Sequence, residues 1–132
     1  MSKSIKLKEN TYWDSTSITH NKELLSTKII NSSGSNSNGS WIKFEDGTMI
    51  EYGINYGVNN SYRLITFPIK FTSLSIVLST INAYADNYIY NSVAYDFNNE
   101  NCKVVVFYAV ANGGSWSRGG NQFSWLAIGK WK

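Results

Sequence analysis

From Trp41 onward, apolar and polar side chains alternate in short runs separated by turn residues, the signature of strands with one buried face. Ile42 and Phe44 lead into Asp46-Gly47, and Ile50 and Tyr52 follow it. Asp-Gly tolerates the positive φ of a tight turn, so residues 41–52 predict a β-hairpin with those four apolar side chains on one face. Farther on, Leu74, Ile76 and Leu78 alternate with Ser75, Val77 and Ser79, while Lys103 to Val110 is a nearly continuous apolar run suited to a central strand. The closing run from Phe123 to Trp131 projects Phe123, Trp125, Ala127 and Trp131 to one side and Leu126 and Ile128 to the other. Both faces are apolar, and one sandwich interior covers only one of them. Either a second copy of the chain shields the other face, or the strand is buried on both sides within one chain.

Ahead of Trp41 the pattern changes. Residues 31–40, from Asn31 to Ser40, carry no apolar side chain, which predicts a flexible linker. Residues 1–30 combine the alternating Ile5-Lys6-Leu7-Lys8, the cluster Tyr12-Trp13-Asp14 and a predicted helix from about Asn21 to Ile30, with Leu25 and Ile29 at an i,i+4 spacing. So few apolar groups cannot hold a core alone, so this part is expected to dock or self-associate as an attachment and oligomerisation segment. The expected division is therefore 1–30, the linker 31–40, and a β-sandwich over 41–132.

The length of 132 residues suits one domain with a core. Charged residues make up only 16%, so the surface is polar mainly through Ser, Asn and Gly and suits neutral, hydroxyl-rich partners. The net charge of +3 is spread thinly, which leaves no concentrated basic face for nucleic acid. The single Cys102 lies in the apolar run Cys102 to Val106 and is expected to act as a small strand hydrophobe. No run is long and apolar enough to insert in a membrane, and Met1-Ser2-Lys3-Ser4 lacks the apolar core of a signal peptide. The product is then expected to be soluble and not exported by a signal peptide, and to meet a cell exterior only by lysis or within an assembled particle.

Catalysis has little to work with. His20 has no acidic neighbour, and the carboxylates Glu45, Asp46, Asp86, Asp96 and Glu100 show neither a metal-loop spacing nor a nucleophile with its base. No catalytic residue, metal or cofactor is expected. Three loops, spanning 55–62, 82–91 and 112–121, instead combine Gly and Asn with aromatic side chains. Such aromatics offer flat platforms for the C–H face of a sugar while amide, carboxylate and guanidinium groups bond its hydroxyls. The candidate ligand-binding residues are Trp116, Arg118, Tyr88, Tyr90, Asp86 and Asn112. Trp116 stands out because Gly113-Gly114-Ser115 and Ser117-Arg118-Gly119-Gly120 flank it, with no strand pattern to place it in a core. The competing use of each tyrosine is structural: a ring that caps the core and a wet hydroxyl.

Four segments occur in a telling order: Gly39-Ser40-Trp41-Ile42-Lys43-Phe44, Asp46-Gly47-Thr48-Met49-Ile50-Glu51-Tyr52-Gly53, Ile65-Thr66-Phe67-Pro68-Ile69-Lys70-Phe71 and Phe123-Ser124-Trp125-Leu126-Ala127-Ile128-Gly129. Together they resemble the small C-terminal domain of phage tail fibre and receptor-binding proteins, the gp53-like fibre tip. The closing strand and the Phe-Pro turn are also similar to those of H-type lectins. The resemblance implies an all-β fold, an antiparallel β-sandwich of about six strands. It further implies a homotrimer in a virion tail, contacting other tail proteins and binding a bacterial surface carbohydrate for host attachment. Two other readings stay open: a structural tail or baseplate component whose loops touch phage proteins, and a glycan-degrading enzyme, which would need paired carboxylates.

Overall fold

A computed structural model describes residues 29–132, which form nine antiparallel strands. They are β1 (Ile30–Asn36), β2 (Gly39–Phe44), β3 (Thr48–Tyr56), β4 (Arg63–Thr66), β5 (Ser73–Ile81), β6 (Tyr88–Tyr95), β7 (Asn101–Val110), β8 (Ser117–Arg118) and β9 (Gln122–Lys130). A five-stranded sheet runs β1-β2-β3-β9-β5, and a second runs β4-β7-β6 with β8 on β7. The fold class expected from the alternation is the one observed. The strand number is higher because β8 spans only two residues, too few to leave a periodic signal, and because β1 lies where a linker was expected.

That linker requires correction. Residues 31–40 pair with the hairpin rather than hang free: Ser33 lies opposite Ile42, Gly34 opposite Trp41 and Ser35 opposite Ser40. An edge strand can be held by backbone bonds alone, so the absence of apolar side chains does not preclude it. The Trp41 indole lies across Gly34 so closely that a Cβ there would sit 2.5 Å from the ring. Asn36 adds a side-chain bond to the Pro68 carbonyl at 3.1 Å, and its Oδ1 accepts from the Asn38 N–H in the turn. The expected attachment segment and helix over 1–30 lie almost wholly outside the described residues.

The Asp-Gly hairpin forms as expected. The Gly47 N–H donates to the Phe44 carbonyl at 3.1 Å, Gly47 adopts φ 88°, and Asp46 accepts from the Thr48 N–H at 2.8 Å. Ile42 pairs with Ile50 and Ser40 with Tyr52, which puts Ile42, Phe44, Ile50 and Tyr52 on one face. It is the outer face, because the alternate residues Met49 and Glu51 are fully buried.

β9 lies between β3 and β5 and supplies the centre of the core. Phe123, Trp125 and Ala127 point inward, against Ile65, Val104 and Val106 of the facing sheet. Between the sheets the segment 67–71 crosses over: Phe67 packs edge-on to Phe71 at 5.3 Å and 5.9 Å from Trp125. Trp131, just past β9, donates its indole N–H to the Phe44 carbonyl at 2.9 Å. Cys102 is buried opposite Ile65, and burial pushes its thiol up to about 12, as befits a small hydrophobe in a strand. A bulge between Leu74 and Ile76 turns Leu74 toward the core and leaves Ile76 and Leu78 on the outer face, opposite Ile128 and Leu126.

Glu51 is the one buried charged residue among those described. Its Oε1 accepts from the Ile69 N–H at 2.9 Å and so pins the crossing segment, while Oε2 has no partner. Burial pushes its pKa up to about 7, opposed by that hydrogen bond and by Lys43. The folded protein therefore holds a proton that the unfolded chain releases near 4.5, so the contribution of Glu51 to stability is greatest below about 4.5 and falls as pH rises from there through about 7. Glu51→Gln is expected to remove this slope and to gain on the order of 2–3 kcal/mol at pH 8. Thermal melts of both proteins from pH 4 to 8 check it, and a wild-type curve flat across that window refutes it.

Candidate functional site

The strand directions gather the three aromatic, amide-rich loops at one end of the sandwich. β3, β5 and β7 finish there, and β6 and β9 begin there. Backbone bonds tie the loops together: Gly57 N–H to the Asn121 carbonyl at 3.0 Å, Asn82 N–H to the Gln122 carbonyl at 2.8 Å, and Ala111 N–H to the Asn87 carbonyl at 2.9 Å. Gln122 also donates from its amide to the Tyr56 hydroxyl at 3.0 Å. The opposite end holds the Asp46-Gly47 turn, the 98–101 loop and the chain's last residues, joined by Trp131 N–H to the Gly47 carbonyl and Phe71 N–H to the Asn99 carbonyl.

At the loop end, Tyr88 and Tyr90 form a cluster with Tyr108. The ring centroids lie 5.8 Å apart for Tyr88 and Tyr108, 6.4 Å for Tyr90 and Tyr108, and 6.1 Å for Tyr88 and Tyr90. These rings sit on the inward face of the second sheet, past the last core valines, and Tyr88 remains 42% exposed. Tyr108 was missed in the sequence reading because it lies within the apolar run of β7; its place two residues beyond Val106 was the available signal. Trp116 is 55% exposed just ahead of β8 and is not one of the stacked rings. Arg118 is exposed on β8, opposite Phe107. Asp86 accepts a hydrogen bond from the Tyr84 hydroxyl, and that bond raises the Tyr84 pKa. Asn112 is exposed in the turn after β7, beside the loop carrying Asp86 through the Ala111–Asn87 bond. The six candidates thus share one end of the molecule, while only the two tyrosines touch ring to ring. Among the described residues, no group of three or more His, Cys, Asp or Glu is placed to hold a metal.

A close backbone contact sets the shape of this end. A Cβ on Gly57 would meet the Gly119 carbonyl oxygen at 2.2 Å and Val106 at 3.1 Å, so the loop after β3 rests directly on the residue following Arg118. Gly119 in turn donates its N–H to the Val106 carbonyl at 3.0 Å. Gly57→Ala is expected to push the two loops apart and cost about 1–3 kcal/mol. Urea denaturation measures the loss, and an unchanged midpoint would show that the contact is loose.

The second surface with recognition chemistry is the outer face of the five-stranded sheet. Tyr52, Ile54, Ile76 and Leu78 are all at least two-fifths exposed there, with Leu126 and Ile128 between them. A shallow apolar depression of about 700 Å³ lies between Tyr52, Ile54, Leu78, Thr80, Ser124 and Leu126. No described residue covers it, so the alternative in which one chain buries both faces of the closing strand does not hold for these residues.

Comparison with known proteins places this architecture. Two solved structures share the fold: a selenomethionine structure of an N-truncated R2-type pyocin tail fibre, and the C-terminal part of the R2 pyocin fibre of P. aeruginosa. Each is 12% identical to this chain and covers 90% of it with a TM-score of 0.58. The chain spans 44% of the first and 30% of the second, less than half of either. No curated protein matches the sequence. The family model for the C-terminal domain of gp53-like tail fibre proteins matches residues 43–130, from within β2 to the end of β9. Strands β3 to β9 and the aromatic core of Phe67, Phe71, Phe123 and Trp125 fall within that match, and the chain belongs to the gp53-like family of tail fibre C-terminal domains.

Proposed function

We propose that this chain is the receptor-binding tip of a tail fibre, a homotrimer whose loop ends recognise a bacterial surface glycan. Membership of a tail fibre family implies a virion tail location and association with other tail proteins. The observation that carries the finer reading is the convergence of three separate loops on one end. There they present Trp116, the Tyr88–Tyr90–Tyr108 cluster, Asp86, Asn112 and Arg118 together. Aromatic faces with nearby amide and charged donors suit sugar rings, which offer C–H faces and hydroxyls at once. The role is binding without bond cleavage: Asp86 is the one carboxylate at this end among the described residues, whereas glycoside hydrolysis uses two carboxyl groups about 5–9.5 Å apart. The tip is made in the cytoplasm and released in the assembled particle.

The trimer is supported by the outer face of the five-stranded sheet, which no described residue covers, since a contiguous apolar surface of this kind marks an interaction site. Three weak glycan sites held together gain avidity that one site lacks. Light scattering is expected to give about three times 14.9 kDa, and Leu78→Asp to shift the protein to folded single chains. A wild-type protein that stays monomeric at micromolar concentration rejects the assembly.

For the glycan itself, Trp116→Ala is expected to weaken adsorption to host cells by about tenfold or more with assembly and melting temperature unchanged. If the assembled protein ignores cells and wall polysaccharide but binds another particle component, the structural tail role replaces this one.

A further inference from the structure

Three places along the described chain put a carboxamide or carboxyl side chain directly before glycine: Asn38-Gly39, Asp46-Gly47 and Asn112-Gly113. Such a pair carries a latent reaction. The backbone nitrogen of the glycine can attack the side-chain carbonyl carbon ahead of it, because no Cβ on the glycine obstructs the approach. A ring closes only where the chain can bring the two atoms together, so local structure decides which pair reacts.

Two of the pairs are held. Gly39 is the first residue of β2, paired with Asn36 across the hairpin, and a Cβ on it would meet the Tyr52 carbonyl oxygen at 2.7 Å and the Trp125 ring at 3.1 Å. Asn38 is tied from the other side, its N–H donating to Asn36 Oδ1 at 2.8 Å. At the second turn both carboxylate oxygens of Asp46 accept from Thr48, at 2.8 and 3.0 Å, while Gly47 donates to the Phe44 carbonyl and accepts from the Trp131 N–H. The Thr48 bonds also hold the Asp46 carboxyl below its usual range, and a carboxylate resists nucleophilic attack.

The third pair is open. Asn112 and Gly113 are exposed in the turn after β7. Gly113 has φ 106°, and it is the one glycine of the chain around whose Cβ position nothing lies within 4 Å. Its N–H and that of Gly114 converge on the single Val110 carbonyl at 3.3 Å each, which is long for an N–H donor.

We infer that Asn112 is a site of spontaneous deamidation, at which the loop end ages by its own chemistry while the fold protects Asn38 and Asp46. The Gly113 nitrogen gives its proton to solvent and bonds to Asn112 Cγ, and ammonia leaves, which forms a succinimide. Water then opens the ring. Cleavage of the new bond to Cγ gives an ordinary aspartate, and cleavage of the old bond to the backbone carbonyl gives isoaspartate, with a methylene added to the main chain. Either product replaces an amide that donates and accepts with a carboxylate that only accepts. The new charge stands beside the loop carrying Asp86, which the Ala111 N–H to Asn87 carbonyl bond holds against this turn. The reaction needs no ligand; its consequence for attachment rests on the glycan-binding reading above, in which Asn112 is a contact.

Holding the full-length protein in warm, mildly alkaline buffer tests the inference, with peptide mapping and enzymatic methylation of isoaspartate as readouts. The peptide containing Asn112 is expected to convert to the acid, faster as pH rises, because the attacking nitrogen must lose its proton. Asn38 and Asp46 in the folded protein are expected to convert about tenfold more slowly or less, since their hairpins must open first. In urea the Asn38 rate is expected to rise to that of Asn112, which separates protection by the fold from the effect of neighbouring residues. Asn112→Gln is expected to stop conversion at this position with an unchanged melting temperature, because the longer side chain closes a larger ring. Conversion of Asn38 as fast as Asn112 in the folded protein overturns the inference, and so does an Asn112 that stays intact when folded while the urea-unfolded chain converts there. For attachment, the aged protein and Asn112→Asp are both expected to lose about threefold or more in adsorption to host cells. If fully converted protein adsorbs undiminished, the chemistry stands and Asn112 leaves the binding site. If fresh protein ignores host cells, the glycan reading fails and the chemistry stands.

Discussion

The fold depends on burying one strand. β9 lies between β3 and β5, its inward side chains Phe123, Trp125 and Ala127 are almost wholly shielded, and the Phe67–Trp125–Phe71 aromatic group joins it to the segment that crosses between the sheets. Glu51 holds that crossing segment by a bond to the Ile69 backbone, at the cost of burying a carboxyl with one oxygen unpartnered. The closing strand is central in space although it is the last of the nine strands, so β3 and β5 belong to one sheet only through it. The same centrality fixes the loop end, because the residues just before β9 hold the loops after β3 and β5 by backbone bonds.

Much of this could be read from the residues. Alternation identified the Asp-Gly hairpin, the two-faced closing strand and the continuous run of β7, because in each case side-chain chemistry dictates the strand. β1 was illegible for the opposite reason. Its Ser, Asn and Gly contribute nothing to burial, and what holds it is a ladder of main-chain bonds to β2 and an indole laid over Gly34. Composition reports side chains, so an edge strand built on backbone alone looks the same as a linker. The bulge before Ile76 was hidden in a similar way, since a one-residue slip changes which leucine faces inward without altering the pattern around it.

The candidate site was partly legible. Three loops far apart in sequence were picked out by their aromatic and amide content, and the topology of an antiparallel sandwich brings them to one end. Tyr108 escaped because a tyrosine inside an apolar strand looks like core.

The hydrogen bond from the Glu45 N–H to the Ile29 carbonyl places the start of the described chain at the end of the sandwich remote from the loops. Tension applied there while the far end grips a surface would run parallel to β1 and β2. Their rungs would then be strained side by side instead of parting one after another, a geometry that resists detachment. A short, polar, almost featureless strand would in that case be the mechanical seam that carries load between residue 29 and the rest of the sandwich.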